Sequence, residues 1–185
     1  MLYSMPNDTL DTLERDLRRA YGAYEYLRDH DLSDISTTSR LLHEDDLDYL
    51  TRRIADETRE LYGVVEGTHG HGGGRDDIVL EAYQSLYWLT VFAVAAGDGY
   101  DDLRPHEPLA APTSVAVTPQ SWPSRVRGLR DGDDARRRQT LRAGYAIVGA
   151  ACIRADVPPC EPVRRDLDEL RAKAYLATYW RELDG

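Results

Sequence analysis

Apolar residues recur three and four positions apart over five stretches of this chain, and nowhere do they alternate as a strand requires. Leu10, Leu13, Leu17, Tyr21, Tyr24 and Leu27 keep the helical spacing over residues 9–30, with Asn7, Asp8 or Thr9 placed to cap the start. Residues 31–42 break the pattern and read as a loop with at most a short turn. A second helix is expected from about His43–Asp45, where an acidic first turn suits the helix dipole, to about Val65. Five glycines in the ten residues EGTHGHGGGR then rule out regular structure. A third helix, from about Asp76 to Ala96, lacks a polar face and is expected at the centre of the fold. Beyond a proline- and glycine-rich stretch, two more helices are predicted. Asp134–Ala155 carries Leu141, Tyr145, Val148 and Cys152, and Pro162–Leu183 carries Val163, Leu167, Leu170, Ala174 and Ala177. The fold class is therefore all-α, a bundle of about five main helices.

The pattern contains an anomaly. In the second helix the apolar stripe runs Leu47, Leu50, Ile54, Leu61 and Val64, and the position that would complete it is Glu57, with Glu60 three residues on. In the third, Glu81 lies on an apolar helix with Gln84 three residues later. Residues three apart share a helix face, so each pair can grip one site. A buried carboxylate without a partner costs several kcal/mol, which points to a cation between the two helices. Hard oxygen ligands favour magnesium, with manganese as a substitute.

Composition sharpens this picture. The net charge is −10, with 22 acids and 9 bases in residues 1–103 but 11 acids and 14 bases in residues 104–185. The acidic half suits divalent cations and repels nucleic acid, while the basic half suits an anionic ligand arriving with them. A solvated acidic surface would produce the same asymmetry. The first residues, MLYSMPNDTLD, lack the basic and apolar regions of a secretory signal. The longest nearly apolar run, Leu86–Ala96, is 11 residues, short of the roughly 20 that a bilayer span takes. Two cysteines, Cys152 and Cys160, fit a reducing compartment better than a disulfide framework. A cytoplasmic protein with no membrane partner is expected.

Three regions follow: a helical half over residues 1–104, with residues 52–103 as the motif core, a proline-rich connection over 105–123, and a second helical half over 124–185. The second half can be laid over the first as a degenerate repeat. Leu141-Arg142-Ala143 then falls on Leu80-Glu81-Ala82, and Trp122, Arg125 and Arg142 stand where Glu57, Glu60 and Glu81 stand. Other candidates have plain readings. His69 and His71 form a His-x-His able to touch a metal or phosphate, but read as mobile loop residues. Tyr83, Tyr87 and Trp88 can stack on a base, though rings on a central helix are usually core. The Arg136-Arg137-Arg138 run reads as a solvated helix start sooner than a phosphate contact, and Arg52 and Arg53 lie closer to the acids. The glycine loop lacks the Lys-Ser/Thr of a phosphate-binding P-loop.

DETRE followed by EAYQSLYWLTVFAVAAGDGYDDL resembles the all-α nucleoside triphosphate pyrophosphatases, the MazG-like and phosphoribosyl-ATP pyrophosphatase group. Their hallmark is Glu-Glu-x-x-Glu on one helix and Glu-x-x-Asp on the next. The resemblance covers about 50 residues and implies a MazG-like bundle, in which the four metal ligands fall on Glu57, Glu60, Glu81 and Gln84. Asp56 stands where the family has its first, usually non-ligating, glutamate. Gln84 departs from the pattern, being a neutral amide where an aspartate is expected.

The activity implied is magnesium-dependent hydrolysis between the α- and β-phosphates of a nucleotide, giving a monophosphate and pyrophosphate. Glu57 or Glu60 would double as the base, Arg52, Arg53, Tyr83 and Trp88 are candidates for binding the substrate, and a homo-oligomer is expected. The alternative, motivated by Gln84, is a catalytically impaired relative that binds a nucleotide or a protein partner. A plainer one is a helical interaction domain whose inward acids pair with arginines such as Arg53 or Arg142.

Overall fold

A computed structural model describes residues 7–70, 74–112 and 122–185, and no strand occurs among them. The protein is all-helical. The elements are α1 (Asn7–Asp29), α2 (Thr37–Glu44), α3 (Leu47–Glu66), α4 (Arg75–Ala95), α5 (Tyr100–Leu103), α6 (His106–Ala110), α7 (Trp122–Val126), α8 (Gly128–Asp131), α9 (Asp134–Arg154), α10 (Cys160–Arg171) and α11 (Ala177–Asp184). One apolar cluster runs through the described helices from Leu13 of α1 to Trp180 of α11.

α4 is the axis of this cluster. Ala82, Leu89, Val91, Phe92, Ala93 and Val94 have no exposed surface, and α1, α2, α3, α9 and α10 all pack on this helix. At 21 residues it is long and apolar enough to cross a membrane by composition alone, beyond the 11-residue run read from the sequence. Burial on every side by other helices demands the same composition. α9 lies against α4 in similar fashion, with the Thr90 and Tyr145 hydroxyls 3.0 Å apart across the contact.

Helix boundaries depart from the periodicity where polar side chains intervene. The stretch 31–42 holds α2: Ser36 caps its start by accepting from the Ser39 amide, while Ser39 donates to the Leu27 carbonyl at 2.7 Å. This buried serine fixes α2 against α1 and buries Leu42. The second expected helix therefore does not begin at His43–Asp45. Asp45 is left-handed (φ 52°), Asp46 caps α3 by accepting from the Tyr49 amide, and α3 starts at Leu47.

The last expected helix is broken. α10 ends at Arg171, a 3-10 turn spans Ala174–Leu176, and α11 turns back. Leu176 and Trp180 are then buried, and the Tyr179 hydroxyl donates to the Arg19 carbonyl at 2.8 Å. A continuous helix would forgo that burial. The proline-rich connection also contains structure: α6 docks on α9, with Leu109 fully buried. Residues 113–121 of that connection lie outside the described residues.

The arginine run at 136–138 is only partly solvated. Asp98, fully buried after α4, accepts from Arg137 Nε at 2.8 Å and Arg138 Nε at 2.6 Å. Burial alone would raise the Asp98 carboxyl, but the hydrogen bonds from Arg137 and Arg138 outweigh it and hold it below the usual range. This ion triad ties the start of α9 to the end of α4.

Candidate metal centre

Glu57 and Glu60 lie one turn apart on α3, and Glu81 and Gln84 one turn apart on α4, along the seam where the two helices pack. Glu81 has no exposed surface, Glu57 is 3% exposed, and Glu60 and Gln84 are half-buried. Asp56 turns outward instead and pairs with Arg59 at 3.0 Å.

Glu57 is tied into the protein. Arg53, one turn earlier, donates to its Oε1, and the guanidinium carbon stands 4.8 Å from the centre of the Trp88 ring. Gln84, with its NH2 toward the two carboxylates, donates to Glu57 Oε2 at 3.0 Å and Glu81 Oε2 at 3.1 Å. The amide thus bridges α3 and α4 through both acids. Burial pushes the Glu57 carboxyl above its ordinary value, Arg53 opposes this, and Glu60 and Glu81 add to the rise.

Glu60 and Glu81 meet a residue that the sequence reading assigned to a mobile loop. His69 Nε2 lies 3.9 Å from Glu60 Oε2, and one ligand atom each from Glu60, His69 and Glu81 fall within 4.8 Å of one another. Cation–ligand distances of about 2.1–2.4 Å place opposite ligands about 4.2–4.8 Å apart, so this cluster has the span of one coordination shell.

The local sequence explains how His69 arrives there. Gly67 ends α3 in the left-handed conformation (φ 72°), reversing the chain, and the Thr68 and His69 amides both donate to the Gly63 carbonyl, at 2.8 and 3.0 Å. A Cβ on Gly63 would stand 2.6 Å from the His69 Cβ, so only glycine lets the loop fold this close to α3. The signal in the sequence was this pair of glycines, four and eight residues after Arg59, rather than the histidine itself. His71 lies outside the described residues.

The proposed substrate-binding residues are dispersed. Arg53 and Trp88 stand beside Glu57, where Trp88 also packs edge-on to Tyr49 and Tyr87. Arg52 is exposed and lines a small cavity of ≈200 Å³ with Asp48, Thr51, Arg127 and Arg130. Tyr83 faces α10, where the Arg165 guanidinium lies over its ring at 5.6 Å. Tyr87 reaches Thr38 of α2 at 3.0 Å.

The donor set is two carboxylates and one imidazole, with Glu57 adjacent and Gln84 holding Glu57 and Glu81 in place. Carboxylate oxygens suit hard cations, and an imidazole nitrogen widens the choice to manganese, iron and zinc. Three protein ligands in an octahedral shell leave positions for water or substrate oxygens. No family model, curated protein or solved structure matches this chain, so the case for the centre is its geometry.

Proposed function

We propose that Glu60, His69 and Glu81 hold one divalent cation, manganese in preference to magnesium, and that the protein hydrolyses a nucleotide between its α- and β-phosphates. The observation that carries this reading is the convergence of Glu60, His69 and Glu81 to within 4.8 Å of one another at the α3–α4 seam, with the Glu57 carboxylate linked to Glu81 through the Gln84 amide. The resemblance of DETRE and EAYQ to the MazG-like pyrophosphatases supplies the reaction.

When bound, the cation would offset charge on the phosphates and acidify a water. Glu57 is the base. Its raised carboxyl accepts a proton more readily than an ordinary glutamate, and Arg53 holds it in one rotamer beside Glu60. The water oxygen bonds to the α-phosphorus, its proton passes to Glu57, the bond from that phosphorus to the bridging oxygen breaks, and pyrophosphate leaves. Gln84 positions both Glu57 and Glu81 through its amide rather than acting as a ligand.

One observation favours a second reading, a nucleotide-binding module without turnover: both Glu57 oxygens already accept hydrogen bonds, Oε1 from Arg53 and Oε2 from Gln84, which leaves them committed before a water arrives. Pyrophosphate release across a panel of nucleoside triphosphates, with manganese or magnesium, decides between them. The hydrolase reading expects release that Glu57→Gln reduces at least 100-fold while leaving metal binding intact. Nucleotide binding without release on the whole panel would establish the module instead.

A further inference from the structure

In the more basic part of the sequence, α6, α7, α8 and α9 line two adjoining cavities of ≈590 and ≈380 Å³ that share Arg125 and Gln139. Arg138 and Arg142 line the first and Arg136 the second. Four guanidiniums thus face one concave surface, and among the described residues its lining has a single carboxylate, Glu107.

Their commitments differ. Glu107 is matched by Arg104 and Arg142, each at 3.0 Å. Arg138 is held by Asp98 and Asp102 from behind, and Arg142 donates to the Leu103 carbonyl. Arg125 and Arg136 have no ion-pair partner among the described residues, and both are exposed. The fixed pair sets the shape and the uncommitted pair leaves charge unmatched. Between them Pro108, Ala111, Ala143 and Ala146 give the larger cavity an apolar floor. These volumes fall within the range of small-molecule sites.

The overlay of the two halves gives the cleft a further meaning. Arg125 falls on Glu60 and Arg142 on Glu81, and both arginines line the cleft as both glutamates line the metal centre.

We infer that this cleft is an oxyanion site for a polyphosphate, built on Arg125, Arg136, Arg138 and Arg142 and independent of the metal centre. Guanidiniums present paired donors that match phosphate oxygens, and the apolar floor receives the uncharged body of a phosphorylated small molecule. Inorganic triphosphate carries the recognised chemistry alone, and a nucleoside triphosphate carries it with such a body.

The test is calorimetric titration of inorganic triphosphate, and separately of adenosine triphosphate, in the presence of EDTA. EDTA removes any contribution through the α3–α4 seam, so the outcome is separable from the hydrolase reading. Binding of both is expected, tighter for the nucleotide, weakened at least tenfold in Arg125→Glu and in Arg136→Glu, and unchanged in Glu81→Gln. Both arginines are on the surface, and circular dichroism of each variant should match the unaltered protein. No binding in EDTA, or binding that survives both arginine replacements, overturns the site.

Discussion

Asp166 offers a sharp test of how this core handles charge. It lies on α10, 5% exposed, and the Tyr24 hydroxyl of α1 donates to its Oδ1 at 2.5 Å. Tyr83 and Tyr87 of α4 and Tyr145 of α9 also feel its charge, and Glu169 is its neighbour on α10. Burial raises the carboxyl most, Tyr24 opposes and Glu169 reinforces the rise, and the result is pushed up to about 7 from 3.8. The folded chain therefore keeps a proton that the unfolded chain releases. Between those two values the folded state binds one more proton, so stability falls as pH rises through the window. The slope is about 1.4 kcal/mol per pH unit, and the loss accumulates to about 4 kcal/mol above pH 7.

Asp166→Asn keeps an oxygen for Tyr24 and removes the charge. Urea unfolding followed by circular dichroism should show the variant close to the unaltered protein near pH 4. It should be more stable by up to about 4 kcal/mol near pH 8, on the same linkage argument. Parallel stability profiles across that range would show that Asp166 is ionised in the fold and that the reasoning from its burial is wrong.

The glycines provide three further tests. A Cβ on Gly149 would stand 2.2 Å from the Leu109 carbonyl oxygen, which is backbone and cannot rotate away, so Gly149→Ala should lift α6 from α9 and lose about 1–3 kcal/mol in chemical unfolding. The same change at Gly144 meets Leu89 Cδ2 at 2.5 Å, a movable side-chain end, and the smaller penalty should be largely offset by about 1 kcal/mol of helix propensity. Gly63→Ala should leave metal-free stability nearly unchanged while displacing His69, weakening manganese binding about tenfold or more by calorimetry.

The helices were legible where one side-chain pattern decided them. Leu13, Leu17, Tyr21, Tyr24 and Leu27 are buried in α1 as their spacing predicts, and the all-round apolar α4 is central. α2 was hidden because a buried serine, rather than an apolar stripe, anchors it. The break after Arg171 was hidden because Ala174 and Ala177 continue a helical spacing that tertiary burial of Leu176 and Trp180 overrides.

At the site, the inward acids stood out as polar residues in apolar positions. His69 did not, because its approach depends on Gly67 reversing the chain and Gly63 yielding space, and neither leaves a periodic trace. Gln84 falls on a ligand position by the resemblance, and in the fold its neutral amide donates to two buried carboxylates, a role that its position alone does not reveal.

Titration of manganese into the metal-free protein tests the α3–α4 centre most directly, with the thermal unfolding temperature read alongside. One ion per chain is expected, with an added stability of about 2.7 kcal/mol at a hundredfold excess over Kd, loss of both effects in Glu81→Gln and a clear weakening in His69→Ala. Manganese binding that is absent, or that persists unchanged in Glu81→Gln and His69→Ala, would contradict the proposed centre.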